Sequence, residues 1–250
     1  MPQIIYGRNP VVEALRAGQR IDKILIAAEL KDTKISEILS LAKINHVPVE
    51  RVSKKILAEV ASTSKSQGVL AMVQPTAFAT IEDILQKSQQ QDEPPLIALL
   101  DGIEDPHNLG AILRAADGAG VHGTILPKRR AVGITATVAK TSAGASAHVL
   151  TAQVSNLNYT IEQLKAKNIW IVGADQNAER IYYEADLSGA VALVIGAEGR
   201  GLHRLVREKC DFLVQIPMFG KINSLNASVA AALLFFEVRR QRGMNERSKL

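Results

Sequence analysis

The chain has 250 residues, of which 47% are hydrophobic and 22% are charged, and its net charge is +5. This balance is typical of a globular protein with one large domain or two modest ones. No apolar run reaches the ~18 residues of a membrane span, and the first residues lack the pattern of a secretory signal, so we expect no membrane association. Cys210 is the only cysteine, which excludes an internal disulfide framework and favours a cytoplasmic location.

The first 75 residues predict a small α/β domain. Apolar runs of strand length alternate there with helical periodicity, which gives a β-α-β-α-β unit behind a short first helix. The predicted elements are helix 9–16, strand 21–27, helix 32–45, strand 47–52, helix 54–60 and strand 68–73. Residues 76–95 are rich in glutamine and end in two prolines, so we expect a linker with a short helix around 81–85.

Residues 96–250 predict a second α/β domain with a buried, mostly parallel sheet. Short apolar runs are bounded by turns and separated by stretches long enough for helices. They occupy residues 96–100, 123–126, 169–172, 191–195 and 212–216. Because ligands of such sheets gather at the carboxyl ends of the strands, we expect functional residues in the loops after residues 100, 195 and 216.

The loop after residue 100 leads into a helix. Asn108 predicts its N-cap, and an apolar stripe runs from Leu109 to Ala116. Arg114 lies beside the stripe, and its guanidinium can extend back toward Asn108 because helical side chains lean toward the amino terminus. The same residues also fit a simple capping asparagine and a surface arginine.

The loop after residue 195 is rich in glycine. Its order, G-x-x-G-x-G from Gly196 to Gly201, differs from the dinucleotide fingerprint, and no P-loop lysine follows. Glycines allow a backbone to approach a ligand closely. Glu198, in the middle of this loop, offers a carboxylate to an arginine or to a ligand amine.

The third loop precedes a helix with an unusually polar start. Four polar residues crowd into six positions: Asn223, Ser224, Asn226 and Ser228. One of them suffices to cap the helix, so the surplus suggests side chains that face a ligand. The following run, 229–238, is apolar around nearly its whole circumference, so it is either buried within the monomer or pairs with another chain.

Three stretches together resemble the SpoU (TrmH-type) branch of the knotted SPOUT RNA methyltransferases. They are Asp105–Arg114, Leu193–Leu202 and Ile216–Ala230, and they occur in the family's order. The resemblance extends over the whole chain. Tyr6–Leu15 and the small first domain are similar to the subgroup that 2′-O-methylates a guanosine of 23S ribosomal RNA.

The resemblance implies a fold, a cofactor and an assembly. The fold is a trefoil-knotted, mostly parallel α/β domain at 96–250, joined by a linker at 76–95 to a small L30e/L7Ae-like RNA-binding domain at 1–75. The cofactor is S-adenosylmethionine. The implied cofactor-binding residues are Gly196, Ile216 and Leu225, with Ile195, Met218 and Ser224 beside them. The implied partners are 23S ribosomal RNA and a second copy of the chain, packed through the carboxyl-terminal helix, with no metal.

The resemblance also implies roles for four catalytic residues. A ribose hydroxyl is a weak nucleophile, so methyl transfer needs a base or a strongly polarising environment. Asn108 would orient the ribose, Glu198 would fix or tune Arg114, and Asn226, with Ser224, would contact the target nucleotide. Because a guanidinium stays protonated in proteins, we expect Arg114 to contact the ribose or a phosphate unless its neighbours strongly perturb it.

Several alternatives stay open. The same loops occur in family members that methylate transfer RNA, and the fold could also serve a non-catalytic RNA-binding assembly factor. A nicotinamide-dependent enzyme is disfavoured by the glycine order. The five histidines lack metal-ligand spacing, and the basic run Lys128–Arg130 after a strand is a candidate phosphate contact.

Overall fold

The computed structural model describes residues 3–16, 21–61, 67–73 and 78–247. The chain forms two compact units, each built around one sheet. The first unit comprises Met1–Ala77 and Ile134–His148, and the second comprises Phe78–Gly133 and Val149–Leu250. Within the described part of the chain, no helix combines the length and apolar character that crossing a membrane requires.

The first unit contains a four-stranded sheet in the order β1-β4-β2-β3. Its elements in chain order are β1 (Gln3–Tyr6), α1 (Arg8–Arg16), β2 (Ile21–Ala27), α2 (Thr33–Ile44), β3 (Val49–Val52), α3 (Lys54–Ala61) and β4 (Val69–Val73). β2 is parallel to β3 and antiparallel to β4. All the elements predicted for this unit are present, and β1 is an additional strand at the edge of the sheet.

The second half of the chain continues the alternation of strands and helices. Its elements are α4 (Ile81–Gln90), β5 (Leu96–Asp101), α5 (Pro106–Gly118), β6 (Gly123–Pro127), α6 (Ala136–Thr141), β7 (Leu150–Val154), α7 (Leu157–Lys165), β8 (Trp170–Ala174), β9 (Arg180–Ile181), β10 (Val191–Gly196), α8 (Arg204–Lys209), β11 (Phe212–Gln215) and α9 (Ala227–Arg247).

The sheet of the second unit has seven strands in the order β7-β6-β5-β10-β8-β11-β9, and all of its pairings are parallel. β5 lies next to the sheet centre, and every one of its residues is buried. β5 pairs with β10 so that Asp101 stands opposite Gly196. The parallel arrangement places the carboxyl ends of all these strands at one edge, as the sequence predicted.

The boundaries of the two units differ from the expected ones in two places. α4 occupies most of the stretch expected to be a linker, and it packs in the second unit because Ile84 is fully buried in that unit's core. Residues 134–148, expected in the second domain, belong to the first unit, where Ala139 of α6 joins the core. In both stretches, the spacing of the apolar residues can indicate a helix, but it does not indicate which of the two sheets the helix packs against.

Candidate functional site

A cleft of about 310 Å³ opens at the carboxyl edge of the seven-stranded sheet. Its walls come from the loops after β8, β10 and β11 and from the start of α9. All six residues expected to hold a cofactor line it: Gly196, Ile216, Leu225, Ile195, Met218 and Ser224. The sequence placed these residues on the loops after β10 and β11, and the structure brings both loops to one cavity.

The glycine-rich turn after β10 shapes one wall of the cleft. Ala197 and Gly201 exchange backbone hydrogen bonds of 3.2 and 2.8 Å, which close the turn. Gly201 has a positive φ of 66°, and a Cβ on Gly196 would lie 2.3 Å from the carbonyl carbon of Gly201. Glycine is therefore required at position 196 and favoured at position 201. The turn carries Glu198 at its tip, exposed and lining the cleft.

Three of the expected catalytic residues meet beside the cleft. The amide nitrogen Nδ2 of Asn226 donates to Asn108 Oδ1 at 2.9 Å and to Glu198 Oε2 at 3.0 Å. Asn108 Nδ2 also lies 3.5 Å from Glu198 Oε2. We call these three residues the Asn–Glu–Asn cluster. It joins the beginning of α5, the glycine-rich turn and the beginning of α9.

The two roles of Asn226 explain part of the polar character at the start of α9. Its Oδ1 accepts from the backbone N–H and the hydroxyl of Ser228, at 2.9 and 2.6 Å, so Asn226 caps the helix. Its Nδ2 donates both hydrogens to Asn108 and Glu198. The whole hydrogen-bonding capacity of this side chain is used, and an aspartate could not supply the two donors.

Asn108 does not cap its helix, so that prediction was wrong. α5 begins at Pro106, and Asp105 is the N-cap, whose Oδ1 accepts from the backbone N–H of His107 at 2.8 Å. Proline is favoured in the first helical position, where its missing N–H costs nothing. The earlier cap leaves the Asn108 side chain free to contact Asn226 and Glu198.

Arg114 lies apart from the Asn–Glu–Asn cluster within a single chain. It is exposed on α5, six residues beyond Asn108. In an α-helix, six residues correspond to about 9 Å along the helix axis and to side-chain directions about 120° apart. The carboxylate of Glu198 bonds to the two asparagines. We had expected Glu198 to fix Arg114, but among the described residues no hydrogen bond joins the two side chains.

Sequence reasoning missed an aspartate–histidine pair that fixes the glycine-rich turn. Asp101, buried at the end of β5, accepts from the backbone N–H of His203 at 2.7 Å and pairs with His203 Nδ1 at 2.9 Å. These contacts attach the end of the β10 loop to the end of β5. The available signal was Asp101 itself, a charged residue that ends a strand otherwise made of buried apolar side chains.

The lining of the cleft fits a nucleoside with a short charged tail. Ile195, Ile216 and Leu225 provide apolar walls, and its glycines can offer only main-chain groups. The charged residues that line it are Asp175, whose carboxylate is paired with Arg207 at 2.7 Å, Glu198 and Arg200. A polyphosphate would need more cations, whereas a sulfonium or an ammonium group suits the carboxylate of Glu198. The volume lies at the lower end of the ~300–1,000 Å³ that small-molecule sites span.

Potential metal ligands and the single thiol can be located in the part of the chain that the structure describes. No group of three or more histidine, cysteine or acidic side chains among them could hold a metal ion. Burial raises the pKa of the Cys210 thiol to about 12, because the charged thiolate would lose its hydration. Cys210 is therefore a neutral, partly buried thiol that contacts the carbonyl of Val206, as expected for a packing residue.

Two family models match most of the chain. The SpoU rRNA Methylase family matches residues 95–236, and the model for RNA 2′-O ribose methyltransferase substrate binding matches residues 4–79. Two proteins named as TrmH-family tRNA/rRNA methyltransferases are similar over nearly their whole length. YacO of Bacillus subtilis is 44% identical over 238 residues (95% of each chain), and a Staphylococcus saprophyticus protein is 47% identical over 239 residues (96% of each).

Solved structures agree with these matches. The SpoU methyltransferase AviRb from Streptomyces viridochromogenes, in complex with AdoMet, superposes with a TM-score of 0.82 at 25% identity, over 96% of this chain and 90% of that chain. A structure described as an RNA 2′-O ribose methyltransferase superposes with a TM-score of 0.79 at 28% identity, over 96% and 88%. The SPOUT fold expected from the resemblance is confirmed. The chain belongs to the SpoU/TrmH family of RNA 2′-O-ribose methyltransferases, whose cofactor is S-adenosylmethionine.

Proposed function

We propose that this chain methylates the ribose 2′ oxygen of a guanosine in 23S ribosomal RNA, in the cytoplasm, and that the Asn–Glu–Asn cluster and Arg114 are its catalytic residues. One observation carries the assignment of the site. Glu198 belongs both to the cluster and to the lining of the cleft that fits S-adenosylmethionine. This shared residue supports the proposal that the target ribose approaches the methyl donor at the cluster.

The residues of the site have two tasks in the reaction, which are to bind the cofactor and to orient the ribose hydroxyl. The bound cofactor supplies an electrophilic methyl group on a sulfonium. Gly196, Ile216 and Leu225 would hold it mainly through main-chain groups, with Ile195, Met218 and Ser224 against it. The side chains that face the RNA must then orient the hydroxyl and favour the loss of its proton, since a neutral hydroxyl is a poor nucleophile.

The geometry of the cluster suits that task. Both asparagine contacts of Glu198 use Oε2, so Oε1 is left for the ribose hydroxyl or for an arginine. The two amides hold the carboxylate in place, which reduces the reorganisation that the reaction would otherwise require. Arg114 supplies an exposed guanidinium that binds a phosphate or the ribose of the target nucleotide.

The choice of ribosomal RNA rests on the first unit. Residues 4–79 match the substrate-binding model of the family. The resemblance of Tyr6–Leu15 to the subgroup that acts on 23S ribosomal RNA supports this choice. Two solved neighbours whose names state a transfer RNA substrate cover less of this chain. The tRNA-modifying enzyme of A. aeolicus covers 66% of it (TM-score 0.54, 26% identity), and an enzyme that methylates C/U34 of tRNA covers 60% (TM-score 0.55, 25% identity).

Mapping of ribose methylation tests the substrate directly. RNA from a strain that lacks this chain should lose one 2′-O-methylguanosine in 23S ribosomal RNA, and the wild-type chain should restore it. Loss of a transfer RNA methylation instead would show that transfer RNA is the substrate. Transfer of tritiated methyl groups to unmodified ribosomal RNA by the purified chain excludes a non-catalytic assembly factor, and absence of transfer would support one.

We also propose that the chain is a homodimer that pairs through α9. One face of this helix is buried within the unit: Ala231, Leu234, Phe235 and Val238. On another face, Val229, Leu233 and Phe236 are 46%, 38% and 52% exposed, at a spacing that forms one apolar stripe. Light scattering should give twice the 27.0 kDa chain mass, and Phe236→Glu should give single chains. A wild-type protein that stays at the mass of one chain would contradict this proposal.

A further inference from the structure

The loop after β6 carries three consecutive cations that neither the cleft nor the Asn–Glu–Asn cluster uses. Lys128, Arg129 and Arg130 are all exposed. None of them forms an ion pair with an acidic side chain in the part of the chain that the structure describes. We call these three residues the basic loop. Adjacent unpaired cations repel one another, so an anionic partner would stabilise this arrangement.

The basic loop lies at the same edge of the sheet as the cluster. β6 runs parallel to β5, with Ile125 opposite Leu99, so the two strands end side by side about 4.8 Å apart. The backbone N–H of Val132, just beyond the loop, donates to Ile103 at 3.1 Å. Ile103 belongs to the segment that leads from β5 into α5, on which Asn108 lies. The basic loop is therefore attached to the segment that positions the cluster.

The backbone of the basic loop is also held at its beginning and bent at its end. The N–H of Lys128 donates to the carbonyl of Val154 in β7 at 2.8 Å. Arg130 has a positive φ of 57°, a conformation that glycine or asparagine adopts more readily. A loop whose backbone is held on both sides presents its three cations at a fixed place on the surface.

We propose that the basic loop binds phosphates of the RNA strand that flank the target nucleotide. This inference rests on the proposed function, since it assigns the loop to the same RNA substrate. An exposed row of cations without an enclosing cavity suits an extended polyanion, whereas a single small anion would remain largely hydrated there. Arginine binds phosphate through two parallel hydrogen bonds, and such contacts fix the register of a nucleic acid without reading its sequence.

The test replaces the three charges and measures the salt dependence of RNA binding. The variant is Lys128→Gln with Arg129→Gln and Arg130→Asn, because asparagine tolerates the left-handed backbone at position 130. The matched control is Lys167→Gln, an exposed lysine just before β8, at the opposite edge of the sheet. Binding of a fragment of unmodified 23S ribosomal RNA is measured between 50 and 200 mM salt, with S-adenosylhomocysteine present.

The loss of three phosphate contacts should reduce the steepness of the plot of log affinity against log salt concentration by about 2. The ratio of the wild-type affinity to the variant affinity should therefore fall about twentyfold over this range of salt. The KM for RNA should rise, while kcat at saturating RNA and the affinity for S-adenosylhomocysteine stay at their wild-type values. The control should match the wild type. Arg129→Gln alone should give about a third of the slope change, which keeps the test usable if the triple variant folds poorly.

An unchanged slope and KM in the triple variant would overturn the inference, as would a fall in kcat at saturating RNA. These results are distinct from a failure of the proposed function. If the wild type transfers methyl groups and the variant shows an unchanged KM, only the role of the basic loop is wrong. If the wild type binds the RNA with the expected salt slope but transfers no methyl group, the proposed activity is wrong and the binding surface stands.

Discussion

Each edge of the seven-stranded sheet carries a cluster of polar side chains around a glutamate, and the two clusters differ in exposure. At the carboxyl edge, the Asn–Glu–Asn cluster is open to solvent beside the cleft. At the amino edge, a second polar group, which we call the amino-edge cluster, consists of Glu93, His122, Arg239 and Arg242. His122 is fully buried there, and Arg242 is only 8% exposed. Exposure, more than residue type, separates a polar group that can meet a substrate from one that holds the fold together.

The contacts of the amino-edge cluster support that distinction. Arg242 donates to the carbonyls of Pro95 at 3.1 Å and Gly189 at 2.8 Å, in the segments just before β5 and β10. Arg239 pairs with Glu93 at 2.6 Å and donates to the carbonyl of Gly120 after α5. Both arginines lie on α9, so they attach the second half of this helix to the starts of the central strands. The beginning of α9 supplies Asn226 to the opposite edge.

Replacing Arg114 should have the largest effect on catalysis. We expect Arg114→Ala to lower kcat by about 10³-fold or more, because the target ribose or phosphate loses its charged partner. Arg114 does not line the cleft, so the affinity for S-adenosylhomocysteine should not change. Single-turnover methyl transfer and calorimetric titration measure the two quantities. Near-normal turnover would remove Arg114 from the mechanism.

At the amino edge, the corresponding change should affect stability and leave the chemistry intact. Arg242→Met fills a similar volume but removes the guanidinium that donates to the carbonyls of Pro95 and Gly189. We expect a loss of about 3 kcal/mol in the free energy of unfolding. The kcat of the folded fraction should stay at the wild-type value. Arg204→Met is the control, since Arg204 is exposed in α8 and should matter by less than about 0.5 kcal/mol. Equal unfolding curves for the two variants would refute a structural role of Arg242.

Asn226→Asp separates the capping role of this residue from its role in the cluster. Aspartate still caps α9 through a side-chain oxygen, so the unfolding temperature should fall little. It loses the donors to Asn108 and Glu198 and places a second carboxylate beside Glu198. We expect kcat to fall by about 10²-fold. Asn226→Ser, which also keeps a capping oxygen, should behave similarly, and full activity in both variants would show that the cluster is not catalytic.

The carboxyl edge could be predicted from sequence because parallel strands gather their loops at one edge. Polar residues that directly follow an apolar strand can therefore be placed at this edge of the sheet from the sequence alone. The amino-edge cluster offers no such signal. Glu93 follows a polar helix, His122 precedes a strand, and the arginines belong to a basic helix end that resembles a solvated surface. Only the packing of α9 brings them together.

The elements that sequence reasoning missed are short and partly polar. β7 carries Thr151 and Gln153 and lies at an end of the sheet, so its burial pattern is irregular. β9 has two residues, and β1 is a four-residue edge strand whose partner β4 lies some 65 residues further along the chain. Such short strands form where the backbone of a neighbouring strand is available for pairing. The neighbour is set by the fold, so the residues of the short strand alone do not indicate it.

His122 should make the amino edge sensitive to pH. Its Nδ1 accepts from the backbone N–H of Leu96 at 2.9 Å, so the proton of the neutral ring is on Nε2, 3.7 Å from Glu93 Oε2. Burial lowers the pKa of His122 from 6.5 to about 4; Glu93 opposes this shift, and Arg242, Arg239 and Lys87 add to it.

Because the folded-state pKa of His122 lies below the unfolded value, the unfolded chain binds more protons between pH 6.5 and pH 4. Stability should therefore be full above pH 6.5 and fall as the pH drops, by about 2 kcal/mol between pH 7 and pH 5. Urea unfolding at these two pH values measures the change. His122→Asn keeps an acceptor for Leu96 but does not titrate, so its stability should vary less over the same interval. The same pH dependence in both proteins would assign the effect to other titrating groups of the chain and would remove His122 as its source.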